Sequence, residues 1–325
     1  MRTLVTGGCG FIGSHLVDKL ANLGYEVIVI DNLSSGSLDN VRTHLGKSYF
    51  EFIKADLKVF DADWVKSFSN IDVVFHFAAN PEVRISVTDP RTHFEENVLV
   101  TFNVLEACRK YDIPYIVFAS SSTVYGDAKI IPTPESYHPL EPVSIYGACK
   151  LACENIMITY SKLYGIKSLI LRYANIIGPR SNHGVIIDFI NKLKRNPREL
   201  EILGDGTQRK SYLYVFDCVD ATLHVLEAFM RSNKKYDVYN IGSDDWITVI
   251  EIADIITKEL GLRDVKYIFK PGTPDGRGWP GDVKFMLLDV SKLKSTGWRP
   301  RWNSREAVIK TVRQLLGKEI HEYYA

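Results

Sequence analysis

The first 175 positions alternate between short apolar blocks and longer amphipathic stretches. Arg2–Thr6, Glu26–Asp31, Phe50–Lys54, Asp72–Phe77, Tyr115–Ser120 and Lys167–Tyr173 have strand length and are rich in Val, Ile, Leu and Phe. Their consecutive residues are apolar rather than alternating, so both faces of each strand should be covered, as in a parallel sheet between helical layers. Phe11–Leu23, Arg91–Tyr111 and Tyr146–Tyr164 carry helical periodicity and supply those layers. Right-handed crossovers then predict a doubly wound α/β fold that binds ligands at the carboxyl ends of its strands.

Beyond Asn175, Gly, Pro and charged residues become denser, as in Gly178-Pro179-Arg180, Gly204-Asp205-Gly206 and Pro271-Gly272-Thr273-Pro274. Short strand signals at Leu200–Leu203 and Tyr212–Val215 fall among helices near Val185–Arg195, Val219–Met230, Val249–Leu260 and Ser304–Leu316. This texture predicts a smaller mixed α/β substrate-binding domain. Val238–Ile241 should return to the main sheet, so the two domains interleave. Residues 1–175 with about 217–242 would form the dinucleotide-binding domain, and about 176–216 with 243–325 the smaller one.

Forty basic residues against thirty-nine acidic ones leave a net charge of +1, which gives no push toward nucleic acid or a membrane surface. No apolar stretch reaches the length of a bilayer span, and no leader-like run opens the sequence. The five cysteines (Cys9, Cys108, Cys149, Cys153 and Cys218) lack zinc-type spacing and are expected to be small buried residues rather than disulfides. The eight histidines show no metal-ligand spacing, so no metal is expected, and His76 reads as core or cofactor-adjacent. The expectation is a cytoplasmic enzyme with neither nucleic-acid nor membrane partners.

The chemistry begins at Thr6-Gly7-Gly8-Cys9-Gly10-Phe11-Ile12-Gly13, which follows the first strand and opens the first helix. Gly7, Gly10 and Gly13 allow a tight turn and close backbone approach to a pyrophosphate, and the helix N-terminus offers free N–H groups. The second strand ends in Asp31, at about the 20-residue spacing of a carboxylate that accepts from an adenosine ribose. Such a carboxylate repels a 2′-phosphate, and no Arg lies in Asn32–Leu38 to welcome one, so NAD is favoured over NADP. The loop Asn32, Leu33, Ser34, Ser35 and Gly36 completes this side. Asp56 and Leu57 follow the third strand near the adenine, while Phe77, Ala78 and Ala79 end the fourth with room for the cofactor.

Tyr146 and Lys150 stand four residues apart on one helix face, and Ser120, Ser121 and Ser122 close the fifth strand at the same crevice. A phenol near pKa ~10 is a poor base at neutral pH, and a neighbouring ammonium favours its ionised form. Ser121 can hydrogen-bond the reacting oxygen and relay its proton.

These motifs, together with Arg172-Tyr173-Ala174-Asn175, resemble those of the extended short-chain dehydrogenase/reductases, most closely the UDP-glucose (UDP-galactose) 4-epimerases among them. The resemblance spans essentially the whole sequence. It implies Tyr146 as base, Lys150 as its activator and nicotinamide-ribose ligand, and Ser121 as its partner. It further implies cofactor contacts from Phe11, Ile12, Asp31, Asn32, Asp56, Leu57, Ala78, Asn97 and Tyr173, with Asn175 on the nucleotide sugar. The implied reaction interconverts UDP-glucose and UDP-galactose through a transient 4-keto sugar, with NAD retained and recycled. Sister dehydratases carry an Asp-Glu pair where this sequence has Ser122-Thr123, and decarboxylating relatives carry Glu at the Thr123 position. A hydroxyl cannot replace those acids. A non-catalytic NAD-binding sensor would be expected to lack the triad, which is intact.

Val185, Leu203, Arg209, Lys210 and Asp282 are the smaller domain's expected substrate contacts, alongside Ser121, Ser122 and Tyr146. Many relatives read Arg-Asp where Lys210-Ser211 stands, and a second family Arg falls at Trp279. Either Arg277 substitutes for it, or Trp279 packs against the ligand, or Trp279 is core. Met286 falls near a position that limits sugar size, where a flexible thioether would admit N-acetyl sugars. Relatives pair the Arg91–Tyr111 and Tyr146–Tyr164 helices across a dimer axis, and Val98, Phe102, Leu105, Leu151, Ile156 and Ile158 lie on them, so a homodimer is expected.

Overall fold

The protein's structure is a computed structural model that describes residues 1–319. Strands β1 (Arg2–Thr6), β2 (Glu26–Asp31), β3 (Phe50–Lys54), β4 (Val73–His76), β5 (Tyr115–Ser121) and β6 (Lys167–Tyr173) join Tyr236–Ile241 in one seven-stranded sheet. Every pairing is parallel, and the spatial order is Tyr236–Ile241, β6, β5, β4, β1, β2, β3. The chain builds outward from β1 to β3, then crosses back to start again at β4. The direction reverses between Thr6 and His76, which face each other in register, and this opens a crevice at the strands' carboxyl ends.

Two layers of core follow from strand alternation. Val5, Val29, Phe75, Val117 and Leu171 face one side, where helix α1 (Phe11–Asn22) and the helix Val215–Met230 pack. Leu4, Ile28, Val74, Ile116 and Ile170 face the other, against the helices Val100–Lys110 and Ile145–Tyr164. A third core gathers Ile186, Phe189, Leu200, Ile202, Ile252 and Val308 around short strand pairs such as Glu199–Leu203 with Lys266–Lys270. The five cysteines are buried and free. His76 is core, its ring held between the hydroxyls of Thr6 (2.7 Å) and Thr101 (2.9 Å), and burial pushes its pKa down to about 3.

One expected helix is not uniform. Arg91–Tyr111 resolves into a turn at Pro90–His93 capped by Asp89, a π-helical segment at Phe94–Leu99, and the α-helix Val100–Lys110. A wider turn rephases the side chains that follow it. Glu96 and Val100 come to line the crevice, whereas Asn97 is buried off its wall and donates to the His93 carbonyl at 3.0 Å.

A buried ion pair ties the Ile145–Tyr164 helix to the sheet. Arg172 on β6 donates to Glu154 through Nη2 (2.7 Å) and Nε (3.0 Å), and Glu154 also accepts from Ser120 Oγ at 2.5 Å. Both side chains are nearly inaccessible, so removing one strands the other in low dielectric. Glu154→Ala is expected to cost about 3–5 kcal/mol in urea unfolding. The double variant Glu154→Met with Arg172→Leu should recover much of that loss.

Candidate active site

The crevice widens into a cavity of roughly 1020 Å³, at the upper end of the range for a single small-molecule site. At one end the Gly-rich turn is packed too tightly for any side chain. Gly7 has φ +70°, and a Cβ there would sit 2.7 Å from the Ala78 nitrogen; one on Gly13 would sit 2.2 Å from the Gly7 carbonyl oxygen. Gly10 caps α1 without a side-chain bond, so the first N–H groups of the helix remain available. Asp31 is aimed by its own backbone surroundings. One carboxylate oxygen accepts from Cys9 N–H at 2.9 Å and the other from Leu33 N–H at 2.8 Å, and burial raises its pKa. Two oriented oxygens beside free helix N–H groups suit a ribose diol next to a pyrophosphate, the donor set of a dinucleotide.

Gly7, Gly10, Phe11, Ile12, Gly13, Asp31, Asn32, Ser34, Ser35, Asp56, Leu57, Phe77, Ala78, Ala79, Ser120 and Tyr173 line this cavity together. Three expected cofactor residues do not. Leu33 turns into the core with φ 63°. Gly36 packs on the Cys9 backbone, where a Cβ would meet the carbonyl carbon at 2.8 Å, so it supports the glycine turn from behind. Asn97 is withdrawn by the π-helical segment. Ser120 and Tyr173 reach the wall with their hydroxyls spent elsewhere, on Glu154 and on Thr222 (2.8 Å) respectively.

Ser121, Tyr146 and Lys150 line the same cavity. Ser144 caps the Ile145–Tyr164 helix by accepting from Gly147 N–H at 3.1 Å, which places Tyr146 in its first turn and Lys150 one turn on. Lys150 Nζ donates to the Ala119 carbonyl at 2.8 Å and lies 5.8 Å from the Tyr146 ring centroid. Ser121 Oγ accepts from Thr123 N–H (3.2 Å) and Thr123 Oγ1 (2.9 Å), which fills both lone pairs and leaves its proton to donate. Thr123 thus orients Ser121, a role that its position in the sequence did not disclose. Burial pushes the Tyr146 phenol up to about 12, with a hydrogen bond from Ser121 pulling the other way. Burial also lowers Lys150 to about 8.

At the far end Ser122, Asn175, Val185, Leu203, Lys210, Asp282 and Met286 line the wall. Arg209 does not: alternation along the short Arg209–Lys210 strand turns it outward, over the Trp246 ring at 5.8 Å. Arg277 is likewise off the wall, bonded to Asp127 (2.8 Å), Asp275 (2.6 Å) and the Asp282 carbonyl (2.8 Å). Trp279 is on the wall, whereas Arg277 is not.

The depressed Lys150 pKa has a measurable consequence. Its ordinary value is 10.5 and its folded value about 8, so the folded chain binds fewer protons than the unfolded one between those values. Lys150 therefore makes stability rise with pH across that window, and below it the buried charge is a constant cost. Lys150→Met should unfold at higher denaturant at pH 7, with the gain shrinking between pH 8 and 10.5, as denaturation series on both proteins would show.

Residues 3–242 match the model of the NAD dependent epimerase/dehydratase family. A crystal structure of a UDP-galactose 4-epimerase superposes with TM-score 0.86 at 51% identity, covering 98% of this chain and 99% of that one. The UDP-glucose 4-epimerase of Thermus thermophilus, solved as a complex with NAD, gives 0.83 at 34% identity, covering 98% and 99%. UDP-glucuronic acid decarboxylase 6 of Arabidopsis thaliana is 34% identical over 317 residues, 95% of this chain and 87% of its own length. With a glycine turn, an oriented Asp31 and a Ser-Tyr-Lys centre that fit such a cofactor, the chain belongs to the NAD-dependent epimerase/dehydratase family, the extended short-chain dehydrogenase/reductases, and its cofactor is NAD.

Proposed function

We propose that this enzyme is a nucleotide-sugar 4-epimerase that interconverts UDP-glucose and UDP-galactose. The observation that carries the reading is the end of β5, where Ser121, Ser122 and Thr123 present hydroxyls beside Tyr146 and no carboxylate. Loss of water or of carbon dioxide from the sugar needs an acid or base at those positions, whereas inversion at C4 needs one side chain to move the hydroxyl proton, with the C4 hydrogen passed to and from the cofactor. Tyr146 exchanges that proton, and Ser121, its lone pairs already filled by Thr123, donates to the same sugar oxygen. Lys150 adds positive charge behind the phenol. When bound, NAD supplies the acceptor and donor for the C4 hydrogen and a positive ring that favours the phenolate. Asn175, Val185, Leu203, Lys210 and Asp282 hold the nucleotide end, leaving the hexose free to turn.

The test is incubation of purified protein, without added NAD, with UDP-galactose. UDP-glucose should form, and Tyr146→Phe should slow it by about 10²–10⁴. Met286 on the sugar wall favours a broader specificity that includes N-acetyl sugars, so UDP-GlcNAc belongs in the same assay; its complete exclusion would contradict that extension.

We also propose a homodimer. Phe94, Phe102, Leu163 and Tyr164 are 44–67% exposed along the two helical segments expected to pair, while Leu105 is fully buried in the chain's own core. Sedimentation at micromolar concentration should give twice the mass of the 36.9 kDa chain.

A further inference from the structure

Taking the nucleotide-sugar reading as the starting point, the unsettled question is what grips the substrate's diphosphate, since Trp279 stands where relatives place an arginine. Among the described residues, the lysines and arginines on the cavity wall are Lys58, Arg84, Lys150, Arg180 and Lys210. Lys58 sits at the adenine end between Asp56 (3.6 Å) and Glu96 (3.9 Å). Lys150 lies behind Tyr146, and Arg180 is bound through Nη2 to Asp18 on α1 at 2.7 Å, with its Nη1 buried and unpartnered. Arg84 and Lys210 are the two that lie against the Trp279 ring. They come from different parts of the fold, Arg84 from the loop after β4 and Lys210 from the smaller set of strands.

Trp279 lies within reach of both. Arg84 Cζ is 6.0 Å from its ring centroid and Lys210 Nζ is 5.7 Å away, both at cation–π distance. Carboxylates fix the direction of each cation without exhausting it. Glu82 takes Arg84 Nε (2.9 Å) and Nη2 (3.0 Å), while Nη1 makes no hydrogen bond among the described residues. Asp282 takes one Lys210 proton at 2.7 Å, leaving two of the three that an ammonium offers. The Trp279 indole N–H is buried and has no acceptor, a costly state that an anionic oxygen would relieve.

We propose that Arg84, Lys210 and Trp279 form the clamp for the diphosphate of the nucleotide sugar, with one cation supplied by the dinucleotide-binding side of the cleft. Arg84 and Lys210 hold the phosphate oxygens, and the Trp279 N–H donates between them.

The test uses the NAD-loaded enzyme, titrated with UDP and with uridine and followed by calorimetry and tryptophan fluorescence. A lost charge-assisted hydrogen bond corresponds to about a ten-fold to hundred-fold change in affinity. Arg84→Gln and Lys210→Gln should each weaken UDP by about that factor and leave uridine affinity and NAD content unchanged. Arg84→Lys should recover only part of the loss, because the guanidinium fork is gone. Trp279→Phe keeps the aromatic face, loses the N–H, and should abolish the fluorescence change on UDP addition. UDP affinity of Arg84→Gln equal to that of the unaltered enzyme, or an equal loss for uridine, would overturn the clamp. An unaltered enzyme that binds no UDP would overturn the nucleotide-sugar reading and the clamp together, whereas a UDP-selective loss without epimerisation would leave the clamp standing and sink only the reaction.

Discussion

Lys150 carries an ammonium into a nearly inaccessible position at the cavity wall, and much of the site is arranged around holding it there. Its Nζ reaches the Ala119 carbonyl at the end of β5, so the helix that bears it cannot rotate or slide relative to the sheet. The same helix face carries Tyr146 one turn earlier and Glu154 one turn later. Glu154 is locked to Arg172 on β6 and to Ser120, next to Ser121. Ser121 and Tyr146 therefore sit on a buried electrostatic frame spanning two strands and one helix. The frame accepts the cost of a charge in low dielectric in exchange for position.

The parts of this architecture that depend on neighbours in sequence were legible before any coordinates. Apolar blocks marked the six strands, and their lack of alternation marked a sheet covered on both faces. Gly7, Gly10 and Gly13 announced the turn because a tight strand-to-helix junction is a local event, and Tyr146 with Lys150 announced a shared helix face for the same reason. What was not legible depends on which distant segments converge. Nothing near Arg84 indicates that its loop will face Trp279, some 195 positions on by sequence. Thr123 read as the absence of an acid, and only its bonds to Ser121 show that it orients that hydroxyl. Asn97 and Arg209 went the other way. A π-helical segment and the alternation of a two-residue strand turned them off a wall on which family pattern alone would set them.

At the far end of the cavity Trp279 lines the wall together with Lys210 and Arg84, which come from different parts of the fold. Arg277, the nearest alternative in sequence, is consumed by Asp127 and Asp275. The two ends of the cavity are built differently: Ser121 and Lys150 are fixed by hydrogen bonds to Thr123 and to the Ala119 carbonyl, whereas Arg84 and Lys210 are each held by one carboxylate.

The most direct measurement is the fate of hydrogen at the sugar's C4. UDP-galactose deuterated at that carbon, converted in ordinary water by the enzyme as purified, should give UDP-glucose that keeps its deuterium at C4 with no hydrogen taken from solvent. Replacement of the label by solvent hydrogen would contradict this reading, because it would mean that C4 is inverted by proton exchange and not within a closed redox site.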